Sequence, residues 1–207
     1  MFSLDLSMEQ ITFVKCTILV ILGITFYMFI ETDYINDVQY VRSNLDNMEY
    51  LVRNKPDSKE AADMLSTIRT TLTKVVDDLL RKFPKDDRVK RLKSRYNPYK
   101  ISESPPDSQF TSYSINKGEK IVFCLRSKED QRLHDINTMT FVALHELAHL
   151  MTNSIGHTAE FWDNFRFILK TAIQKGHYHF QDFKSKPIRY CGTNITDSPL
   201  KDDEIHD

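Results

Sequence analysis

The sequence predicts an α+β fold that is mainly helical, with one small β-hairpin or sheet, preceded by a transmembrane helix and a helical hairpin. Three observations support this prediction: an apolar run near the amino terminus, apolar residues at helical spacing in most later segments, and one pair of β-prone segments around a turn. The chain has 207 residues, 41% of them hydrophobic, which is enough for a core. Its net charge of -1 provides no overall attraction to nucleic acid.

Residues 11–30 form the apolar run, which follows a short amino-terminal tail, 1–10. A helix of this length spans about 30 Å, the thickness of a bilayer's hydrocarbon core, so we expect a single-pass membrane anchor. A cleaved signal peptide or a buried core helix is the alternative. Asp5 and Glu9 stand where a signal peptide has its basic start, which favours the anchor. The flanking charges leave the side of the membrane open.

Residues 31–100 are predicted to form a helical stalk and hairpin. Apolar residues from Tyr34 to Val52 recur at steps of three and four, which is typical of a helix. A break at 54–56 ends it, and Asp57 with a glutamate three residues later predicts a capping box for a second helix. We expect the two helices to pack as an αα-hairpin. Self-association through either apolar stripe, giving a homodimer, is the alternative.

Basic residues are concentrated in the segment 81–100. A solvated helix from Asp86 to Arg95 is the simpler interpretation, and contact with anionic lipid or nucleic acid is the alternative. The Pro-rich segment 102–107 is then expected to link the helical front part to the second half of the chain.

The second half begins with a predicted β-hairpin, Thr111 to Ile115 and Lys120 to Leu125. One of its strands has a free edge to which an extended peptide can add. Asp135 or Asn137 is expected to cap the helix that follows, and 159–175 to form the next one.

The helix between them carries the motif His145-Glu146-Leu-Ala-His149. Residues four apart lie one turn apart on the same face, so both imidazoles can hold a single Zn2+. Glu146 projects beside them and is the candidate base that takes a proton from water and passes it to a leaving amine. Two polar histidines of an ordinary helix are the alternative. That helix is mostly apolar, where unpartnered histidines are costly.

A catalytic zinc site usually has three protein ligands and one open position. Gly156 ends the helical pattern, and His157 follows it where the chain can turn back towards the metal. Glu160 is the rival for third ligand, since a carboxylate also binds zinc. His177 and His179 are weaker rivals in a polar tail.

The motif HELAH followed by GHTAEFW resembles the WLM metallopeptidases, relatives of the SprT-type proteases, and more closely the membrane-anchored HELAH proteins of large DNA viruses. The resemblance covers roughly 112–162. It implies a minimal zincin-like metallopeptidase domain, 108–190, that cleaves a protein or peptide substrate. It also implies one Zn2+ held by His145, His149 and His157, with Glu146 as base. The sequence departs from the usual WLM pattern in the wider spacing between His149 and His157. It also has no cysteine pairs for an accessory zinc module, so we do not expect DNA–protein crosslinks as its substrate.

A membrane-tethered zinc module that does not turn over is the competing function. The glutamate of the motif argues against it, because a structural site needs ligands but no base. Cys124 and Cys191 are the only cysteine pair outside the apolar run, and a reduced pair is the simpler interpretation, with a single bridge as the alternative. Residues 191–207 are expected to form a carboxy-terminal tail with an acidic end. The sequon at Asn194 is consistent with a luminal domain.

Overall fold

The computed structural model of the protein describes residues 8–201, and for 29–36 it describes the backbone but not the side chains. Five helices and seven short strands lie in this range. In chain order they are α1 (Met8–Asn36), β1 (Val38–Arg42), β2 (Glu49–Arg53), α2 (Ser58–Lys82), α3 (Asp87–Arg95), β3 (Ile101–Glu103), β4 (Tyr113–Ile115), β5 (Lys120–Phe123), α4 (Ile136–Met151), α5 (Ala159–Gln174), β6 (Ile188–Tyr190) and β7 (Thr193–Ile195). The predicted α+β class is confirmed.

Helix α1 contains one stretch, Met8–Met28, that is long and apolar enough to cross a membrane, with a mean hydropathy of 2.0. None of that stretch is buried inside the protein, in contrast to a core helix of the same composition. A signal sequence near the amino terminus passes the same test of length and hydropathy. The predicted tail, 1–10, lies mostly outside the described residues, and the helix already includes its last three.

The prediction of a stalk helix between Tyr34 and Val52, packed as an αα-hairpin, is wrong. The segment forms the antiparallel hairpin β1–β2, in which Val38 lies opposite Arg53 and Arg42 opposite Glu49. Its strands are rich in valine and tyrosine, which suit a half-buried pleated surface. The turn is held by side chains: Asp46 accepts a hydrogen bond from the Met48 amide, and Asp63 of α2 accepts from Ser43 and Asn44.

Helix α2 confirms the second predicted helix and runs through the core, with nine buried side chains. The predicted capping box is wrong, because Asp57 occupies the N-cap position without making a capping hydrogen bond. Its carboxylate instead accepts from Arg126 Nη1 at 2.7 and 2.6 Å. Helix α3 is confirmed, and Asp86 caps it by accepting from the Arg88 amide at 2.8 Å.

The predicted link at 102–107 is wrong for its first residues, since Ser102, Glu103 and Ser104 are buried. Strand β3 pairs in parallel with β5, and β5 pairs antiparallel with β4, giving the order β3-β5-β4. The predicted hairpin β4–β5 is therefore confirmed, and β4 is an edge strand. One core cluster extends from Tyr50 to Leu200, so the front part of the chain packs directly against the second half.

Gly118 in the turn between β4 and β5 allows the hairpin to approach α3. Its φ is +118°, and a Cβ there would lie 2.1 Å from the carbonyl oxygen of Arg95. We expect Gly118→Ala to reduce the free energy of unfolding by about 2 kcal/mol, because backbone must shift to relieve the contact. Gly176→Ala is the matched control, since Gly176 has a φ of +68° and nothing within 4 Å. Urea unfolding of both variants tests this, and equal losses would contradict the steric explanation.

Candidate metal centre

Helix α4 presents the HELAH motif from the interior of the molecule. Asp135 caps it by accepting from the amides of Asn137 and Thr138, so of the two predicted caps Asp135 is the one that acts. Twelve of its 16 residues are buried. His145 and His149 lie one turn apart, with their Nε2 atoms 3.1 Å from each other.

His157 approaches the same point from the loop between α4 and α5. Its Nε2 atom lies 3.0 Å from that of His145, and one ring nitrogen from each of the three histidines lies within 4.8 Å of the others. Three nitrogens bound tetrahedrally to one zinc at about 2.05 Å would be about 3.3 Å apart. The three rings cannot satisfy one another's hydrogen-bonding capacity, because each Nε2 atom takes part in only one hydrogen bond. The donor set therefore fits a single divalent cation.

Glu160, the predicted rival ligand, is not part of this group. Its carboxylate oxygens accept from the backbone amides of Asn153 and Ser154 at 2.9 and 3.1 Å, and from the Ser154 hydroxyl at 2.8 Å. Hydrogen bonds from those amides are the main reason that the pKa of Glu160 falls to about 2. Glu160 thus fixes the start of the loop that carries His157.

Basic side chains from elsewhere in the chain hold the same end of that loop, together with the last turn of α4. Arg91 donates to the Met151 carbonyl at 2.6 Å, and Arg95 to the Leu150 and Thr152 carbonyls at 3.0 and 2.9 Å. Lys117 donates to the carbonyls of Thr152 and Ser154 at 3.1 and 3.0 Å, and to that of Asn153 between them. Cations at a helix carboxy terminus neutralise its unpaired carbonyls. The sequence marked Arg91 and Arg95 only as a basic cluster and gave no signal for Lys117.

Burial controls the ionisation of the site. Desolvation, followed by the neighbouring histidines, lowers the pKa of His145 to about 3. The pKa of His149 falls to about 4, mainly through desolvation. Both rings are therefore neutral at physiological pH, the form that binds a metal. Burial raises the pKa of Glu146 to about 8, and within residues 8–201 no group donates a hydrogen bond to its carboxylate.

Aromatic rings surround the histidines. Phe161 lies 4.8, 4.4 and 4.7 Å, between ring centroids, from His145, His149 and His157. Phe161 and Phe165 of α5 are buried. Trp162 is 42% exposed, and its ring lies 5.6 Å from that of His157 at the wall of the site.

A cleft of about 800 Å³ opens over the triad. Helix α4 contributes Glu146, the edge strand β4 contributes Tyr113 and Ser114, and the carboxy-terminal segment contributes Tyr190 and 193–197. This last wall includes Asn194 of the sequon and was not identified from the sequence.

The two histidines of the tail do not join the triad. His177 Nε2 lies 2.8 Å from a carboxylate oxygen of Asp78, and the His179 backbone exchanges hydrogen bonds with the Asn137 side chain. The chain after α5 packs against the core as far as Leu200, since Tyr178, Phe183 and Leu200 are buried. The predicted acidic end, 202–207, lies outside the described residues.

Cys124 and Cys191 form a disulfide, the alternative that the sequence left open. The bond joins the residue after β5 to the turn between β6 and β7. Tyr190, next to it, donates to the Cys124 carbonyl at 3.0 Å and lies 2.6 Å from the Ser112 hydroxyl. Together these contacts attach the carboxy-terminal wall of the cleft to the sheet.

Comparison with known proteins identifies the family of the chain. The WLM domain model matches residues 44–206. The chain is 33% identical over 189 residues to "Uncharacterized protein R325" of Acanthamoeba polyphaga mimivirus, covering 89% of this chain and 94% of that protein. It is 44% identical over 68 residues to "Uncharacterized protein 042R" of Invertebrate iridescent virus 3, covering 32% of this chain and 42% of that protein.

Among solved structures, Wss1 from Saccharomyces cerevisiae is similar with a TM-score of 0.46 and 18% identity, covering 60% of this chain and 88% of that one. The WLM family is metallopeptidase-like, and the relatives of this chain come from large DNA viruses. Because the family model matches most of the chain and the mimivirus relative matches along almost its whole length, the chain belongs to the WLM domain family, in the group found in large DNA viruses.

Proposed function

We propose that the protein is a membrane-anchored, zinc-dependent metallopeptidase. The observation that carries this proposal is the convergence of three histidine ring nitrogens beside the buried carboxyl of Glu146, at the base of a cleft open to solvent. His145, His149 and His157 would hold one Zn2+. Family membership supports the same chemistry.

Zinc held by the three histidines would polarise the scissile carbonyl and lower the pKa of water from 15.7 towards about 7. The residues of this chain carry out the remaining steps. Glu146 accepts a proton from the attacking water on a carboxylate oxygen and then donates it to the nitrogen of the leaving amine. Glu146 must be ionised to accept this proton, and the positive charge of a zinc ion in the site would oppose the rise in its pKa that burial causes.

The edge strand β4 is suited to align the substrate. The Ile121 amide donates to the Lys100 carbonyl and the Phe123 carbonyl accepts from the Ser104 amide, so these groups of β5 face β3. In an antiparallel pair, hydrogen-bonded and non-hydrogen-bonded residue pairs alternate along the strands. Ser114 lies opposite Ile121, whose N–H faces β3, so this pair is not hydrogen-bonded and the N–H and C=O of Ser114 point away from β5. Ser114 lines the cleft, where its N–H and C=O can pair with an extended peptide.

Metal analysis tests the proposed ligands. The parent protein should bind one zinc ion per chain, and His149→Ala and His157→Ala should each weaken binding by more than about tenfold, since each removes a ligand. Glu160→Gln should preserve the absorption spectrum of the Co2+-substituted protein, because the ligand set is unchanged, whereas His157→Ala should alter it. A spectrum altered by Glu160→Gln and unaltered by His157→Ala would make Glu160 the third ligand.

We also propose that α1 remains in the mature protein as the anchor. Its exposed apolar surface has no place in the core, and the chain passes from α1 into β1 through a single residue, Asp37. The peptidase would then act on proteins close to that membrane. Alkaline extraction should leave the full chain in the membrane fraction, and mass spectrometry should find peptides from 8–28 in it. Their absence from mature protein would indicate a cleaved signal sequence.

A further inference from the structure

The carboxy-terminal hairpin β6–β7 forms a wall of the cleft that the proposed chemistry does not use. Its turn consists of Cys191 and Gly192, with φ values of +46° and +82°. Two consecutive residues with positive φ indicate a two-residue type I′ turn, in which the flanking pair is the hydrogen-bonded one. Tyr190 and Thr193 are therefore bonded to each other, and Arg189 and Asn194 form the next, unbonded pair.

This register leaves the backbone N–H and C=O of Asn194 without a partner among residues 8–201. In an unbonded pair the N–H and C=O of each residue point away from the partner strand. The N–H and C=O of Arg189 therefore face outward from the free edge of β6, and those of Asn194 face outward from the free edge of β7. β7 pairs with β6 alone among the described strands, and Asn194 lines the cleft while Arg189 does not.

Two unpaired strand edges thus border one cleft. β4 presents Ser114 and β7 presents Asn194, and both residues are polar, partly or fully exposed, and lie in the wall around the triad. The β7 wall is held in place by the Cys124–Cys191 disulfide and by the contacts of Tyr190 with Ser112 and Cys124.

We propose that β6–β7 is the second wall of a substrate channel, in which an extended, unfolded segment of polypeptide binds between β4 and β7 through the backbones of Ser114 and Asn194. This inference rests on the proposed peptidase function and specifies its substrate class. A segment bonded on both sides must be a single strand with its own backbone groups free. Strands already paired in a folded sheet, and helices, do not meet this requirement.

The lining adds a side-chain preference. Phe141, Val142 and Phe165 line the cleft as buried side chains, which we call its apolar floor, and Trp162 and Ile195 line it as partly exposed ones. An extended chain points alternate side chains to opposite faces, so every second residue of the substrate would meet this apolar floor. Unfolded segments with large apolar residues on alternate positions should therefore be the best substrates.

Proline substitution tests the backbone N–H of Asn194 separately from the rest of the hairpin, because proline has no N–H. Asn194→Pro removes the outward N–H without removing a bond of the β6–β7 ladder, and Arg189→Pro does the same at the opposite edge of the hairpin. With the full zinc-loaded chain in detergent and a long unstructured apolar peptide, Asn194→Pro should lower kcat/KM about tenfold, the value of one hydrogen bond near 1.4 kcal/mol. Arg189→Pro should stay close to the parent. A tripeptide reporter, which contacts fewer backbone groups, should lose less with Asn194→Pro.

Zinc content and thermal unfolding show whether each variant is folded. If Asn194→Pro does not fold, the double variant Cys124→Ser/Cys191→Ser provides the second measurement, because it frees the wall and should also slow cleavage of the long peptide selectively. Equal kcat/KM for the parent and a folded Asn194→Pro, or an equal loss in Arg189→Pro, would overturn the proposal.

Binding separates this inference from the proposed function. A fluorescent long peptide should bind the Glu146→Gln chain, and adding Asn194→Pro should weaken that binding about tenfold. If no peptide is cleaved but this difference appears, the peptidase function fails and the channel stands. If cleavage depends on Glu146 but the peptide binds equally with and without Asn194→Pro, the channel fails and the function stands.

Discussion

Glu146→Gln should bind one zinc ion per chain and lose peptide cleavage by at least about a hundredfold, because the amide cannot accept and return the proton. The substitution is nearly isosteric, and Glu146 is not one of the three residues whose ring nitrogens converge. Elemental mass spectrometry measures the zinc content, and kcat/KM on an unstructured peptide measures the turnover, so the two effects are separated.

Glu129→Gln is the control for this experiment. Glu129 is a half-exposed glutamate that pairs with Arg189 at 2.6 Å, away from the cleft. The control should retain both zinc and turnover. A Glu146→Gln protein that turns over at the parent rate would exclude Glu146 as the base, and the non-catalytic zinc module would then be the better description.

Arg126→Met should reduce the free energy of unfolding by about 3 kcal/mol, because it leaves Glu103 without its nearest cation in the interior. Arg126 and Glu103 have side chains that are 1% and 0% exposed, with Arg126 Nε 2.7 Å from a Glu103 oxygen. Arg126 also reaches Asp57 at the start of α2, so it joins the front part of the chain to the sheet beside the cleft. We expect a loss of stability near the lower end of the roughly 3–5 kcal/mol that follows removal of one partner of a buried ion pair, because Arg53 still contacts Glu103.

Arg42→Met is the matched control, since Arg42 pairs with Glu49 on the surface and both side chains are more than half exposed. It should leave urea unfolding almost unchanged, because exposed ion pairs contribute little. The double variant Arg126→Met/Glu103→Gln should be less destabilised than the sum of its single variants, since it removes the charge that Arg126 had neutralised. Additive losses would mean that the two side chains do not stabilise each other.

Much of helix α4 and the loop after it was predictable because their features are local. The four-residue spacing of His145 and His149, the cap at Asp135 and the turn at Gly156 each depend on neighbours within one or two turns. The error at 38–53 has a comparable cause. Short apolar runs at steps of three and four do not distinguish a helix from two strands. The contacts of Asp63 of α2 with the turn of the hairpin join residues 19 and 20 positions apart, which a local pattern does not reveal.

The sequence by itself determined the α+β class, the apolar helix α1, the HELAH helix and the group of residues from which ligands and base are proposed. The tertiary structure alone decided which groups meet there. It brings His157 to His145, engages Glu160 with the backbone of the loop, and places Arg95 on carbonyls 55 and 57 residues away. It also sets the carboxy-terminal hairpin against the cleft. Contacts between residues so distant in the chain leave no periodic pattern in it, because they depend on how the helices and strands pack.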